Sequence, residues 1–395
     1  MLHEKYCVYL CVEEFEDKIP FIFGKLAVHD NFTNREQETK RLIGNFASGI
    51  NTILISPRRW GKSSLVLKAS QQAAKKHKQL RFCYIDLHSV KTEEEFYSTL
   101  AEEIMLSTST KAEELIQNVK KFLNRFIPKI TFGSAGIEDV EIGLDWREVK
   151  KNPTEILNLA ERIATEKKIK LVICIDEFQA IAGFKESEGL QKKLRSIWQK
   201  QQNTSYCLYG SKRHMMMNIF TSQAMPFYKF GDLMFLEKIK APDWKKFIEK
   251  RFRDTKKNIS NDAIDKIIYL AQSHPHYVQQ LSQIAWLRSN KSCKPDTVDL
   301  AYDGLLRQIS LLFQSVADSL TSHQINFLKA VILKEKQFSS KETLEKYALG
   351  TSANVLRIKE SLINREIIDT NNNEYYLNDP MFEGWLKKYF FNLKQ

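Results

Sequence analysis

The sequence predicts an α/β fold, in which a parallel sheet is sandwiched by helices, followed by a helical segment and a winged helix-turn-helix. Three observations support this prediction. Short apolar runs alternate with helical patterns over residues 20–240, as expected for buried parallel strands joined by helices. A glycine-containing loop follows the first apolar run. Beyond Pro242 the chain predicts consecutive helices, and the tail adds two short apolar runs around a polar turn.

The loop after the apolar run Ile53–Ile55 predicts a phosphate-binding site. A strand, this loop and a helix follow one another, so backbone N–H groups and the positive end of the helix can face phosphate oxygens. Lys62 is placed to reach the β- and γ-phosphates, and the Ser63 hydroxyl to ligate magnesium. Ser56 stands where such loops usually have glycine. The loop residues are Ser56, Pro57, Arg58, Arg59, Trp60, Gly61, Lys62 and Ser63.

A second apolar run, Lys170–Ile175, ends in Asp176 and Glu177. A carboxylate at the tip of a buried strand can hold the coordination shell of magnesium, and the adjacent Glu177 can orient or deprotonate an attacking water. The pair can instead be a structural ion pair or a helix cap.

A further strand ends at Tyr209, directly before Gly210 and Ser211. Ligands of parallel α/β sheets bind at the carboxyl ends of the strands. Since Ser56, Asp176 and Ser211 all lie at such ends, we expect one site to collect them. Ser211 can also be no more than part of a glycine-serine turn.

The sequence predicts four segments along the chain. Residues 1–19 are an N-terminal extension, in which 1–18 are expected to be poorly ordered or to reflect an upstream start. Residues 20–240 form the core, with a β-hairpin inserted at about 128–146 and one helix over 152–167. Residues 241–317 form a helical lid, and 318–395 a winged helix domain whose third helix spans Ser352 to Asn364.

Composition bounds the setting of the protein. The 395 residues suffice for two or three domains, and no apolar run approaches the ~18 residues of a transmembrane helix. The acidic run Glu13–Asp17 argues against a secretion signal. Cys83 and Cys174 lie in predicted buried strands, which favours reduced thiols and a cytoplasmic protein.

The formal net charge of +12 lies mostly upstream of the tail, because residues 318–395 hold 11 Lys/Arg against 10 Asp/Glu. The basic runs are either solvated helix faces or part of a nucleic-acid surface.

Seven segments together point to a known family. They are Phe32 to Glu38, Pro57 to Ser64, Tyr84-Ile85-Asp86, Asp176 to Gln179, Tyr209-Gly210-Ser211, Pro226 to Phe230 and His274-Pro275-His276-Tyr277. Their combination, over nearly the whole chain from Pro20, resembles prokaryotic AAA+-related P-loop ATPases of the STAND branch, often called archaeal-type ATPases.

The resemblance implies an ATPase with ATP and Mg²⁺ as ligands, a helical lid and a C-terminal winged helix. It implies that Ser64 belongs to the phosphate loop and that Ser211 senses the γ-phosphate or the attacking water. It also implies that Pro275 packs near the adenine. Phe32 would border the base, with Arg35, or be plain core. In relatives a glycine precedes the His-Pro pair, where this chain has Ser273.

Two functions follow as hypotheses. The first is a nucleotide-dependent conformational switch, monomeric or oligomerising with nucleotide, in which slow hydrolysis resets the lid and winged helix. The second is an ATP-licensed protein that binds double-stranded DNA, with Asn354, Arg357 and Lys359 near bases or phosphates. The winged helix can also bind a protein partner. A nuclease is disfavoured, because no nuclease-like region follows the winged helix.

Overall fold

A computed structural model describes residues 19–27, 31–126, 129–132, 140–371 and 374–393. Its described residues divide into two compact units, unit 1 (Arg35–Glu237) and unit 2 (the segment up to Asn34, then Lys238 onward). The prediction about residues 1–18 lies outside the described residues. In the part of the chain that is described, no helix combines the length and apolar character needed to cross a membrane.

Unit 1 contains the predicted parallel sheet. Five strands pair in parallel in the order β2-β5-β6-β1-β7, and β3 pairs with β4 as an antiparallel hairpin where the sequence predicts an inserted one. The edge strand β7 was not predicted, because its four residues begin with a charged Asp232. The strands are β1 (Thr52–Ile55), β2 (Leu80–Asp86), β3 (Lys129–Phe132), β4 (Val140–Gly143), β5 (Lys170–Asp176), β6 (Thr204–Gly210) and β7 (Asp232–Phe235).

Helices join these strands. The single helix predicted over 152–167 is wrong: a new helix begins at Pro153, which suits the first helical position, and another after Asn158, whose ψ of 1° interrupts the helix. The helices of unit 1 are α1 (Glu36–Ser48), α2 (Lys62–Lys76), α3 (Glu93–Thr108), α4 (Ala112–Leu123), α5 (Trp146–Lys151), α6 (Pro153–Leu157), α7 (Leu159–Lys167), α8 (Ser187–Trp198) and α9 (Arg213–Thr221).

The order of the sheet positions the predicted site. Strand β6 lies between β1 and β5, and all three are parallel, so their carboxyl ends meet at one edge. Their side chains are buried almost throughout, including Cys174 on β5, as predicted. Apolar packing on both faces of the sheet therefore holds these three strands in place, and the polar residues at their carboxyl ends lie along one edge of the sheet.

Unit 2 is largely helical, and its tail has the predicted order of three helices and a hairpin. The prediction that only helices follow Pro242 up to the tail is wrong, because β8 pairs with β9; strands of two residues show no periodicity. The elements are α10 (Ala241–Asp254), β8 (Asn258–Ile259), α11 (Asn261–Leu270), α12 (Pro275–Arg288), β9 (Ser292–Cys293), α13 (Pro295–Gln308), α14 (Ser310–Asp318), α15 (Ser322–Ile332), α16 (Lys341–Lys346), α17 (Ser352–Asn364), β10 (Ile368–Asn371), β11 (Glu374–Leu377) and α18 (Pro380–Trp385).

Gly231 offers a test of how β7 joins the sheet. A Cβ at this position would lie 2.2 Å from the carbonyl oxygen of Asn51, which is a backbone atom and accepts the N–H of Asp232. We expect Gly231→Ala to lower the free energy of unfolding by about 1–3 kcal/mol in urea titrations, as overpacking does.

The matched control is Gly189→Ala on α8, where an added Cβ meets nothing within 4 Å. Because alanine favours a helix over glycine, this variant should gain up to about 1 kcal/mol. Equal effects of the two substitutions would show that the approach of Asn51 does not constrain position 231.

Candidate active site

The loop between β1 and α2 has the backbone that a phosphate-binding loop needs. Arg59 has a φ of 63° and Gly61 a φ of 89°, both in the left-handed region. Gly61 is the N-cap of α2, and a Cβ there would meet nothing within 4 Å, so its backbone angle and not lack of space favours glycine. The helix thus begins at Lys62 directly after an open turn.

Ser56 fills the place of the usual glycine without conflict. It is fully buried, its N–H donates to the Gly210 carbonyl at 3.3 Å, and its hydroxyl donates to the Pro57 carbonyl at 3.1 Å. A small side chain whose hydroxyl is paired is tolerated at a buried position. The departure from the usual pattern therefore leaves the loop intact.

Lys62 and Ser63 contact the two carboxylates at the end of β5, those of Asp176, its last residue, and Glu177. The Lys62 ammonium lies 2.8 Å from Glu177 Oε1 and 3.3 Å from Asp176 Oδ1. The Ser63 hydroxyl donates to Asp176 Oδ2 at 2.7 Å. The side chains of Lys62, Asp176 and Glu177 are only 11%, 17% and 16% exposed. The structure thus brings together residues that are more than 100 positions apart in sequence.

Glu177 is held on both of its carboxylate oxygens. Lys62 bonds Oε1, while Ser211 donates to Oε2 at 2.9 Å and the Gln179 amide nitrogen also donates to Oε2. The backbone of Glu177 is left-handed, with a φ of 51°, and its N–H donates to Asp176 Oδ1 at 2.8 Å. A non-glycine residue held in this conformation at a polar cleft is typical of functional sites.

The local electrostatics separate the two carboxylates. Burial raises the pKa of Asp176, and the Lys62 ammonium offsets only part of that rise. Burial also acts to raise the pKa of Glu177, but Lys62, Gln179 and Ser211 together lower it to about 2. Burial lowers the pKa of Lys62, yet the two carboxylates more than compensate and leave it raised. In this state Glu177 is a firmly ionised and weak base.

The donor set fits a magnesium-bound phosphate chain. A hydroxyl and a carboxylate are the hard oxygen ligands that Mg²⁺ prefers, and a lysine beside them suits phosphate. Within the described residues, no group of three or more His, Cys, Asp or Glu side chains is arranged to hold a metal. A Mg²⁺ ion at Ser63 and Asp176 would thus take further ligands from phosphate oxygens and water, as it usually does.

The other predicted residues of the loop lie around this cluster. Arg58 and Arg59 are exposed, Pro57 and Trp60 are half-buried, and Ser64 is buried on α2. Arg213 begins α9 with its guanidinium 5.9 Å from the centre of the Phe235 ring. From the sequence, Gln179 was named only as part of the segment Asp176 to Gln179. Its position two residues after Glu177 was the signal that could have indicated a contact with that residue.

The predicted base-binding residues Phe32 and Pro275 belong to unit 2, and their role at a nucleotide base stays a prediction. Phe32 is half-buried, whereas Pro275 is buried as the first residue of α12. Ser273, where relatives have glycine, has a φ of 58°. This left-handed angle explains why glycine suits that position and why serine there is strained. Arg35, in unit 1, is buried and donates to the Glu237 carbonyl at 2.7 Å.

The three residues predicted to contact DNA do not form one face of α17. The Asn354 amide donates to the Leu349 carbonyl at 2.8 Å, and Arg357 is exposed. Two residues further on, about 200° around the helix, the Lys359 ammonium lies 4.7 Å from the centre of the Tyr375 ring and 5.1 Å from that of Phe338. Lys359 and Arg357 thus face different surroundings.

Comparisons with known proteins agree with this architecture. A family model described as an ATPase domain predominantly from Archaea matches residues 32–281, and one described as a probable winged helix domain matches residues 311–388. No curated protein matches the sequence.

Two of the similar solved structures cover nearly all of the chain. A Walker-type ATPase of Pyrococcus abyssi has 16% identity and a TM-score of 0.63, covering 93% of this chain and 99% of its own. The ORC2 protein of Aeropyrum pernix, solved as ADPNP–ADP complexes, has 14% identity and a TM-score of 0.53, covering 95% of this chain and 99% of its own. These likenesses establish the fold, an α/β P-loop ATPase core followed by a winged helix.

Replacing Lys62 by Met tests the ion cluster. The variant leaves Asp176 and Glu177 close together without their cation, so we expect it to lower the free energy of unfolding at pH 7 by roughly 2–4 kcal/mol. The exposed pair Glu188–Lys192 provides the control: Lys192→Met should change stability by less than about 1 kcal/mol.

The deficit of Lys62→Met should shrink on acidification. Because the pKa of Glu177 is about 2 in the folded protein and lies below its unfolded value of about 4.3, its stabilising effect is present above that unfolded value and is lost as pH falls toward 2. Urea titrations at pH 7 and pH 3 measure this. A deficit that is equal at both pH values would contradict the ion pairing.

Proposed function

The chain belongs to the family of ATPase domains found predominantly in Archaea, and we propose that it binds Mg²⁺–ATP and hydrolyses it slowly as a conformational switch of the AAA+-related STAND kind. The observation that carries this proposal is the contact of Lys62 and Ser63 with Asp176 and Glu177. The loop groups suited to phosphate and Mg²⁺ thus contact a carboxylate suited to Mg²⁺, that of Asp176, and one suited to water activation, that of Glu177.

These contacts support a switch because nucleotide competes with them. When the Lys62 ammonium pairs with phosphate oxygens, Glu177 loses the cation that lowers the pKa of its carboxyl group. The pKa of Glu177 then rises, and Glu177 becomes a better base. Glu177 then accepts a proton from water, while the water oxygen bonds to the γ-phosphorus and the bond to ADP breaks. The nucleotide thus binds more tightly to the state in which Lys62 no longer contacts Glu177 than to the state in which it does. Such a difference in affinity between two states drives a switch.

Each of the other residues has a role in this proposal. The loop from Ser56 to Ser64 cradles the phosphates, and bound Mg²⁺, held by Ser63 and Asp176, would supply positive charge against the phosphate oxygens. Ser211, already bonded to Glu177, would sense the γ-phosphate. We further propose that 20–240, 241–317 and 318–395 act as core, lid and winged helix. The buried free thiols of Cys83, Cys174 and Cys207 favour a reducing, cytoplasmic setting.

Glu177→Gln separates binding from hydrolysis. Because the amide cannot accept the proton, we expect ATP turnover to fall by about 10²–10⁴-fold, while calorimetry still detects binding of Mg²⁺–ATP. Lys62→Ala should lose most of the binding, since it removes the side chain that meets the phosphates.

Glu188→Gln is the matched control, because Glu188 is an exposed glutamate of the same unit. It should bind and hydrolyse ATP like the unmodified protein. Turnover of Glu177→Gln within two-fold of the unmodified protein would refute the role of Glu177. Absence of heat on adding ATP and Mg²⁺ to the unmodified protein would refute the proposal as a whole.

A second candidate function is ATP-licensed binding of double-stranded DNA by the winged helix. It is favoured by a cavity of about 380 Å³ where the loop before α16, helix α17 and the wing strand β11 meet. Two lysines and no carboxylate line it, so it suits a phosphate group. The lining residues are Lys336, Gln337, Phe338, Ser339, Ser340, Lys359 and Tyr375.

This candidate predicts which basic residues matter. The double variant Lys336→Gln/Lys359→Gln should weaken duplex binding, measured by fluorescence anisotropy, and reduce the slope of log K against log salt by about 2. Lys341→Gln, an exposed lysine outside the cavity lining, is the control. Unchanged binding of the double variant, or no duplex binding at low salt, would exclude this surface as a DNA site.

A further inference from the structure

Gln179 is a buried polar residue that the proposed chemistry leaves without a task. It lies in the short turn Phe178–Gly183 that follows β5, and it is only 4% exposed. Its amide nitrogen donates to Glu177 Oε2. Its amide oxygen Oε1 is buried and has no hydrogen-bond partner among the described residues.

The bond to Glu177 explains the orientation of this amide. Turning the amide over would set its oxygen against the Glu177 carboxylate, which is repulsive, so the nitrogen must face Glu177 and the oxygen stays unpaired. A buried acceptor without a partner costs free energy, whereas a Leu of similar size would fill the position at no such cost. The unpaired oxygen is therefore tolerated for the sake of the bond to Glu177.

Gly210, the last residue of β6, provides the space for this amide. A Cβ on Gly210 would lie 1.9 Å from Gln179 Oε1 and 3.0 Å from Met216 Sδ. Any side chain at position 210 would thus displace the amide from Glu177. The next residue, Ser211, donates to the same carboxylate oxygen, Oε2. The end of β6 and the turn after β5 therefore act on Glu177 together.

We propose that Gln179 is a positioning residue for Glu177. With Ser211, it fixes Oε2, so that Oε1, the oxygen that Lys62 holds in this structure, is the one released toward the attacking water when Lys62 pairs with phosphate. This inference rests on the proposed ATPase function, because only there does Glu177 act as a base. Gly210 serves the same arrangement by leaving room for the amide.

Gln179→Leu tests the role, with Gln191→Leu as the matched control. Gln191 is also buried, at 1% exposed; its nitrogen donates to Ser187 Oγ at 2.9 Å and its oxygen has no partner in the described part of the chain. We expect Gln179→Leu to lower kcat about ten- to hundred-fold while KM for ATP stays within two-fold. Because the contact that holds Oε2 is lost while the phosphate loop is unchanged, the loss should appear in kcat and not in KM.

Gln191→Leu should leave kcat and KM unchanged. Gly210→Ala, which keeps the glutamine and displaces its amide, should reproduce the effects of Gln179→Leu. If Gln179→Leu turns over ATP within two-fold of the unmodified protein, the positioning role is wrong although the ATPase stands. An equal loss in Gln191→Leu would show general damage to the unit and would equally overturn the role.

A measurement without turnover separates this inference from the proposed function. Crystal structures of the unmodified protein, Gln179→Leu, Gly210→Ala and Gln191→Leu are compared, each with and without Mg²⁺ and a non-hydrolysable ATP analogue. The Glu177 carboxylate should move away from Ser211 in Gln179→Leu and Gly210→Ala but not in Gln191→Leu. An unmoved carboxylate in Gln179→Leu overturns the inference, whereas a displaced carboxylate in a protein that hydrolyses no ATP overturns only the ATPase proposal.

Discussion

A single ammonium group, that of Lys62, organises the polar edge of the sheet. Lys62 begins α2 after β1, while Asp176 ends β5 and Glu177 follows it, and β6 lies between these strands. The tip of β6 must therefore be narrow, and it is formed by Gly210 and Ser211. Gly210 leaves room for the Gln179 amide, and Ser211 donates its hydroxyl to Glu177. The contact of Lys62 with the two carboxylates therefore constrains the ends of β1, β5 and β6.

Ion pairs and hydrogen bonds together hold the cluster. One cation beside two carboxylates leaves a net negative charge in a partly desolvated place, which hydrogen bonds from Ser63, Ser211 and Gln179 offset. A polyanion entering with Mg²⁺ changes this balance, since the metal neutralises the carboxylates while the phosphates compete for Lys62. The contacts of Lys62 with the two carboxylates, which hold this cluster together, are therefore the ones that a bound nucleotide would replace with contacts to phosphate.

The sequence predicted the central strands, because apolar runs are local features, and it predicted one site at the strand ends that collects Ser56, Asp176 and Ser211. It also predicted α17 at its observed bounds. It missed β7, whose four residues begin with a charged Asp232, and the pair β8–β9, since two-residue strands carry no periodicity and depend on tertiary pairing. The task of Gln179 was not predictable either, because its amide is oriented by Glu177 in a space left by Gly210, which lies at the end of β6. On α17, Asn354 is drawn to the Leu349 carbonyl by contacts that no helical pattern reveals.

We infer that Lys62 leaves the Glu177 carboxylate and pairs with a phosphate when a nucleotide binds. The most direct measurement is a crystal structure with Mg²⁺ and a non-hydrolysable ATP analogue, in which the distance from Lys62 Nζ to Glu177 Oε1 is compared with its present 2.8 Å. We expect this distance to exceed hydrogen-bonding range and Nζ to contact a phosphate oxygen. A bound nucleotide with Lys62 still paired to Glu177 would contradict it.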